Sequence, residues 1–156
     1  MNQVSGSGKE ASTCFSSYAL ILLILFYMMN EAKIIPPVKE LEYFDGTGKE
    51  CIFIMDENLF NSYSSYNSKI LDHVSGFFKY YQKFNFSDLV ICPRDGSYED
   101  RDFSLKESFK SFPFDSAINL QDPFEMHRNL TDQMTTSAIQ RWDIYELYKL
   151  YQWIAC

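Results

Sequence analysis

At 156 residues, with 46% hydrophobic and 17% aromatic side chains, the chain is one ordinary domain with enough apolar material for a core, which excludes a disordered tail. Its formal net charge of −7 argues against a bulk electrostatic binder of nucleic acid, though not against an enzyme that places a few cations inside a cleft. Cys14, Cys51, Cys92 and Cys156 stand far apart and only His73 and His127 could join them, so free buried thiols in a reducing compartment fit better than a zinc site.

Residues 1–15 are polar, rich in Ser and Gly, and read as a flexible leader. Gly6-Ser7-Gly8-Lys9 does not make a phosphate loop, because the pattern needs a longer glycine spacing and Ser or Thr after the Lys, where Glu10 stands. The stretch Ser16–Met29 is nearly pure hydrocarbon and holds no charge, Gly or Pro. Such a helix is apolar all round and is expected to be buried on every side. It falls short of the roughly twenty residues of a membrane span, so no membrane partner is expected. A secretory signal is disfavoured because Lys9 and Glu10 cancel before the run and no small-residue cleavage site follows. Ser16 or Ser17 can cap this helix, which should end near Lys33, and Pro36-Pro37 then enforces an extended exit.

Asp45-Gly46-Thr47-Gly48 is a turn cluster, and Cys51-Ile52-Phe53-Ile54 is a short strand or buried coil. A polar loop at 61–67 leads into an amphipathic helix from Ser68 to Lys83, with Ile70, Val74, Phe77, Phe78 and Tyr81 on one face. Leu89-Val90-Ile91-Cys92 reads as a buried strand stopped by Pro93 and the Asp95-Gly96 turn. Residues 94–112 are charged and non-periodic and read as a solvated loop. Asp122-Pro123-Phe124-Glu125 is a compact turn, Asn129 can cap a helix starting at Leu130 with Asp132 as its box partner, and a last helix covers Trp142 to Ile154. The sequons at Asn85-Phe86-Ser87 and Asn129-Leu130-Thr131 are chance matches in the absence of a signal peptide. The fold class is mainly α with a minor β element.

Four pieces then stand in order: Ser16-Ser17-Tyr18-Ala19-Leu20 opening the apolar helix; Pro36-Pro37-Val38; Gly76-Phe77-Phe78-Lys79-Tyr80-Tyr81 with Phe84-Asn85-Phe86; and Asp122-Pro123-Phe124-Glu125 with Asn129. Together they resemble the helical central (PAP-associated) domain of terminal uridylyltransferases and cytoplasmic poly(A) polymerases, over residues 16–156. The resemblance implies an enzyme of two domains that adds UMP or AMP to an RNA 3′ end without a template. It implies two divalent ions, Mg or Mn, held by carboxylates of a palm domain that this sequence does not contain. No catalytic or metal residue is therefore expected in this chain; Asp95, Asp100 and Asp102 sit in a late loop, away from where the family places its carboxylates.

The resemblance assigns Tyr18 to stacking on the nucleobase and Ser17 to the triphosphate. The family's Gly four residues before that Ser is Thr13 here, which bears on how closely the backbone approaches phosphate. Asp122 and Glu125 match the second wall of the base pocket. Where uridylyltransferases place a His before the Asn, this chain has Arg128, with His127 one residue earlier. Arginine offers donors only, which suits uracil O4 and opposes the amino group of adenine, so UTP is the expected substrate. The implied partners are an RNA 3′ end and a nucleoside triphosphate, and the implied compartment is the cytoplasm. The alternatives are a truncated, non-catalytic descendant that binds RNA, nucleotide or a protein, and a helical interaction domain that kept only the fold. Without a palm, the domain is expected to expose the apolar wall of its cleft.

Overall fold

The structure, a computed structural model, describes residues 15–44, 51–53, 58, 69–101 and 109–134. The leader before Phe15, the polar loop at 61–67 and the expected helix at 142–154 lie outside these residues.

The apolar run forms α1, Ser17–Asn30. Ser16 is extended and its hydroxyl accepts from the Ala19 N–H at 3.1 Å, which settles the cap on Ser16 rather than Ser17. The helix closes at Asn30, earlier than Lys33, because Lys33 takes a left-handed backbone (φ 51°) and the Ile34 N–H returns to the Met28 carbonyl at 3.0 Å. Pro36-Pro37 leads to a short helix, α2 (Val38–Leu41), and an antiparallel hairpin of β1 (Glu42–Phe44) and β2 (Cys51–Phe53), with Phe44 opposite Cys51. The strand alternative thus holds at Cys51–Phe53.

The second long helix, α3, spans Ile70–Lys83. It crosses α1 at Gly76, where an added Cβ would meet the hydroxyl of buried Tyr27 and lie 3.0 Å from its Cζ. Nearby, the Tyr81 hydroxyl donates to the Leu23 carbonyl at 2.7 Å. Phe26, Tyr27, Phe77, Tyr80, Tyr81, Phe84 and Phe86 form one aromatic cluster, with ring centroids such as Phe77–Tyr81 and Phe84–Phe86 at 5.0 Å.

A three-stranded sheet closes the core. β3 (Leu89–Cys92) is central, antiparallel to β4 (Ser97–Asp100) and parallel to β5 (Asn119–Leu120). Alternation along β3 serves two cores. Ile91 packs with Leu120 against Ala19, Leu22, Leu23 and Phe26, while Val90 and Cys92 pack on Phe109 and Phe112. The β3–β4 turn is pinned to the exit of α1. Gly96 (φ 61°) faces Pro37, where a Cβ would lie 2.7 Å from Cγ, and the Lys39 N–H donates to the Arg94 carbonyl at 2.9 Å.

Three expectations change. Residues 94–112 are not simply a solvated loop: they contain strand β4 and the buried rings of Phe109 and Phe112. The strand escapes a hydrophobic count because SYED is a polar edge whose pairing, not its side chains, fixes it. Second, α1 is not buried on every side: Ile21 is 53% exposed and Ile24 40%. Among the described residues α3, the sheet and the flanking Phe84, Phe86 and Leu130 cover only part of it, which leaves an apolar groove of about 430 Å³ lined by Leu20, Ile24, Met28, Ile70, Val74 and Phe78. Ile70, placed on the inner face by periodicity, is accordingly 79% exposed at the rim of this groove. Third, no helix starts at Leu130; residues 130–133 form turns. Helical residues outnumber strand residues among the described ones, but the β element, five short strands in two sheets, is larger than the sequence suggests.

Gly76→Ala is expected to destabilise the fold by about 1–3 kcal/mol, because the new methyl overpacks the helix crossing. Urea titration checks this. Placing the substitution in a Tyr27→Phe background, which removes the offending hydroxyl, should recover part of the loss.

Candidate functional site

The site is built on the segment that follows β5. Its ends are drawn together by the Gln121–Asn129 bridge and by the Leu130 N–H donating to the Leu120 carbonyl at 2.9 Å. Within it, the Asp122 N–H donates to the Arg128 carbonyl (3.1 Å) and the Arg128 N–H to the Glu125 carbonyl (2.8 Å). The Asp122 carboxylate folds back as the turn residue, its Oδ1 accepting from the N–H groups of Phe124 (2.9 Å) and Glu125 (3.2 Å). The compact turn at Asp122-Pro123-Phe124-Glu125 therefore forms, with Asp122 and Pro123 buried and Phe124 and Glu125 exposed.

Asn129 anchors this loop from below. It is buried, and its Nδ2 donates to the Pro113 carbonyl and the Ser116 Oγ, both at 2.9 Å. Its Oδ1 accepts from the N–H groups of Leu120 (3.2 Å) and Thr131 (3.1 Å) and from the Thr131 hydroxyl (2.8 Å). The expected helix cap is thus a different device: the amide satisfies backbone groups that the loop would otherwise bury unpaired. Arg101, at the end of β4, extends the network by donating Nη2 to the carbonyls of Phe86 (2.9 Å), Ser116 (3.0 Å) and Ala117 (3.2 Å). The side-chain amide oxygen of Asn119, in the amide orientation that faces it, accepts from Nε and Nη2 at 2.8 Å. Sequence reasoning missed Arg101, Ser116, Asn119 and Thr131. The available signal was Asn119 itself, a polar residue between Ile118 and Leu120 in a strand buried on both faces.

Tyr18, Asp122, Glu125 and Arg128 come together although α1 opens the described chain and the loop nearly closes it. Tyr18 is the second residue of α1 and 41% exposed. Its phenol is held above the ordinary value of 10.0, first by burial, then by the Asp122 carboxylate as a charge and as a hydrogen-bond acceptor, and by Glu125; the Arg128 guanidinium opposes the shift. Arg128 Nη1 lies 3.6 Å from Glu125 Oε2, an exposed pair one helical-type step apart. Arg128 and Glu125 also line a polar recess of about 380 Å³ with Ser111, His127 and Asp132. Ser17 is exposed at the N-terminus of α1, its hydroxyl left out of the cap that Ser16 makes. That first turn carries no acidic residue of its own.

Among the described residues no group of three or more His, Cys, Asp or Glu converges as a metal site, and no helix is long and apolar enough to cross a membrane. Cys92 is a buried thiol outside any disulfide, its Sγ donating to the Val90 carbonyl at 3.7 Å.

The arrangement can present a flat ring, a carboxylate acceptor and a guanidinium donor to one planar ligand. Asp122→Asn is expected to move the Tyr18 titration down toward the ordinary phenol value, since it removes the charge while burial persists. Because the folded value is raised, Tyr18 contributes stability that is present up to the ordinary phenol range and lost as pH rises through its folded value. NMR titration of ¹³Cζ-tyrosine-labelled protein checks both; an unmoved Tyr18 resonance in the variant would show that Asp122 does not hold the phenol. Asn129→Ala should cost about 3 kcal/mol or more in thermal denaturation, as several buried partners lose their bonds together.

The profile of the Cid1 family poly A polymerase matches residues 70–128. The Xenopus tropicalis speckle targeted PIP5K1A-regulated poly(A) polymerase is 25% identical over 154 residues, which cover 90% of this chain and 18% of that protein. The Drosophila melanogaster poly(A) RNA polymerase gld-2 homolog B is 27% identical over 118 residues, covering 71% of this chain and 9% of its own. The chain therefore spans about a fifth or less of these relatives. Among solved structures, mtPAP in complex with UTP superposes with a TM-score of 0.66 at 19% identity, over 97% of this chain and 31% of that one. A mutant Cid1 poly(U) polymerase bound to MgATP gives 0.66 at 20% identity, over 92% and 46%. These likenesses show the fold, and the profile match shows that residues 70–128 are similar to the PAP-associated domain of the Cid1 family poly A polymerase.

Proposed function

We propose that this chain is the nucleotide-base-binding half of a template-independent RNA 3′-terminal nucleotidyltransferase, with UTP preferred over ATP. The observation that carries the reading is the meeting of the Tyr18 phenol with Asp122, Glu125 and Arg128 at the N-terminus of α1. The Tyr18 ring stacks on the base, since every base offers a flat π face. Arg128 donates to uracil O4, and Asp122 accepts from N3–H, directly or through water. Adenine turns its amino donor toward the same guanidinium and is disfavoured. Ser17 and the N–H groups of the first turn of α1 receive the triphosphate, in keeping with the attraction of helix N-termini for anions.

Among the described residues no carboxylates converge as a metal site. In the whole protein Mg or Mn, held by palm carboxylates beyond this domain, would position the attacking RNA hydroxyl and stabilise the leaving pyrophosphate. The chain's own part is to orient the base and to select it. A second reading, a non-catalytic binding module, is favoured by the open apolar groove between α1 and α3, which suits a protein partner.

The test is an RNA extension assay on the full protein with UTP and ATP in parallel. Tyr18→Ala should raise the UTP KM about ten- to hundredfold, the size of one lost stacking contact. Arg128→Ala should cut the UTP-over-ATP ratio about tenfold, as expected for one charge-assisted bond. Equal or better use of ATP by the unaltered protein would overturn the base assignment. Binding of nucleotide or a partner without any extension would favour the second reading.

A further inference from the structure

The base loop is closed by its own backbone between Asp122 and Arg128, but near its tip Met126 is held from outside the turn. The Met126 carbonyl accepts from the Gln121 side-chain amide, Nε2, at 2.9 Å. Its thioether accepts from Arg94 Nη1 at 3.8 Å, within the reach of a weak hydrogen bond to sulfur. Met126 is half-buried while Glu125 and His127 on either side are exposed, so the chain dips inward here between outward-facing residues. Both holding groups stand on fixed ground. Gln121 follows β5 directly, is 3% exposed, and its N–H donates to the Ile91 carbonyl of β3 at 2.9 Å. Arg94 stands on the β3–β4 turn, where its carbonyl accepts from the Lys39 N–H, two residues before Gly96, which packs against Pro37.

The consequence falls on Arg128. A peptide unit is planar, so the direction of the Met126 carbonyl also fixes the N–H of His127 and the course of the chain into Arg128. The ion pair of Arg128 with Glu125 does not aim the guanidinium by itself. Both side chains are 58% exposed and the charged atoms lie 3.6 Å apart, and such pairs hold little energy in water. The aim of Arg128 then depends on the backbone beneath it. Gln121 is suited to hold that backbone, because a neutral amide offers an N–H to a carbonyl. A carboxylate of the same shape would repel the carbonyl, and a thioether would leave it without this donor. Tyr18 reports the arrangement, since the Arg128 guanidinium lowers its phenol against the raising effects of burial, Asp122 and Glu125.

We propose that Gln121 is a positioning residue for base selection: through the Met126 carbonyl it sets the direction of Arg128, with Arg94 steadying Met126 from the other side. This role deepens the base-site reading and rests on it, so the tether is also measured without any extension of RNA. Gln121 makes no contact with the nucleotide in this scheme. Its effect runs through Arg128, which separates it from a residue that merely stabilises the loop.

The test uses Gln121→Met in the full protein, which nearly keeps the side-chain shape and removes the donor. In RNA extension with UTP and ATP, the UTP-over-ATP ratio of kcat/KM should fall about three- to tenfold, the size of one hydrogen bond. The fall should be carried by the UTP KM, with kcat within about twofold of the unaltered protein. Gln121→Glu, with the same expected direction, keeps the test open if the Met variant does not fold. Met126→Leu, which removes only the sulfur acceptor, should lower the ratio less, by about twofold. In an Arg128→Ala background, Gln121→Met should lower the ratio no further. Without activity, the ¹³Cζ titration of Tyr18 should move up in Gln121→Met, because the guanidinium that opposes its raised value turns away. An unchanged ratio and an unmoved Tyr18 titration in Gln121→Met overturn the proposal and leave the base site standing. A fall that adds in full to that of Arg128→Ala also overturns it, since Gln121 then acts apart from Arg128. A moved Tyr18 titration in a protein that extends nothing supports the tether and counts against the polymerase reading.

Discussion

The Tyr81 hydroxyl donates to the carbonyl of Leu23 at 2.7 Å, and that one bond fixes α1 along its own axis. Leu23 lies in the middle of α1, so the bond uses a second lone pair of a carbonyl already engaged in the helix. Both partners are buried, and Tyr81 is held well above its ordinary phenol value by burial and by Tyr80, so the donor does not ionise. Gly76 sets the distance between the same helices by admitting Tyr27 where any side chain would exclude it. A helix of continuous hydrocarbon has no preferred face of its own. These two contacts give α1 a fixed rotation and depth, and with them the position of Tyr18 at its N-terminus.

The opposing wall of the site is held by polar means. Asn129 and Arg101 bind backbone carbonyls and N–H groups from four separate stretches, preceding β3, entering β5, within it and following it. A buried network of this kind is costly when incomplete and rigid when complete. The loop from Gln121 to Asn129 is therefore stiff although it holds no helix and only one bridge. Its outer residues, Phe124, Glu125 and Arg128, are exposed, while Asp122 is committed on one oxygen to the turn itself. Rigid support beneath exposed donors and acceptors is how a loop can discriminate between bases that differ by one exocyclic group.

The two halves of the site meet over the sheet. β3 turns Ile91 toward α1 and Val90 and Cys92 toward the Phe109–Phe112 cluster, so the strand that supports the helices also supports the chain leading into the loop. The apolar groove left open beside α1 is a different kind of feature. It follows from the excess of hydrocarbon on α1 over what α3 and the sheet can cover.

Much of this was legible in the residues. Ser16 before an uncharged apolar run makes a capped helix whatever surrounds it, because hydroxyl capping and hydrocarbon burial are local or nearly so. Leu89–Cys92 followed by Pro93 and Asp95-Gly96 makes a strand and a turn for the same reason. The order of the Ser16–Leu20, Pro36–Val38, Gly76–Phe86 and Asp122–Asn129 pieces carried the family resemblance. What the sequence could not decide was set by pairing at a distance. SYED became a strand because β3 offered an edge; Asn129 became a buried anchor because β5 and Pro113 brought carbonyls and N–H groups to it; Ile21 and Ile70 stayed exposed because no described element reached them. Tyr18 and Asp122 stand at opposite ends of the described chain, and only the packing of α1 on α3 and the sheet, a sum of contacts between residues remote in sequence, brought ring and carboxylate together.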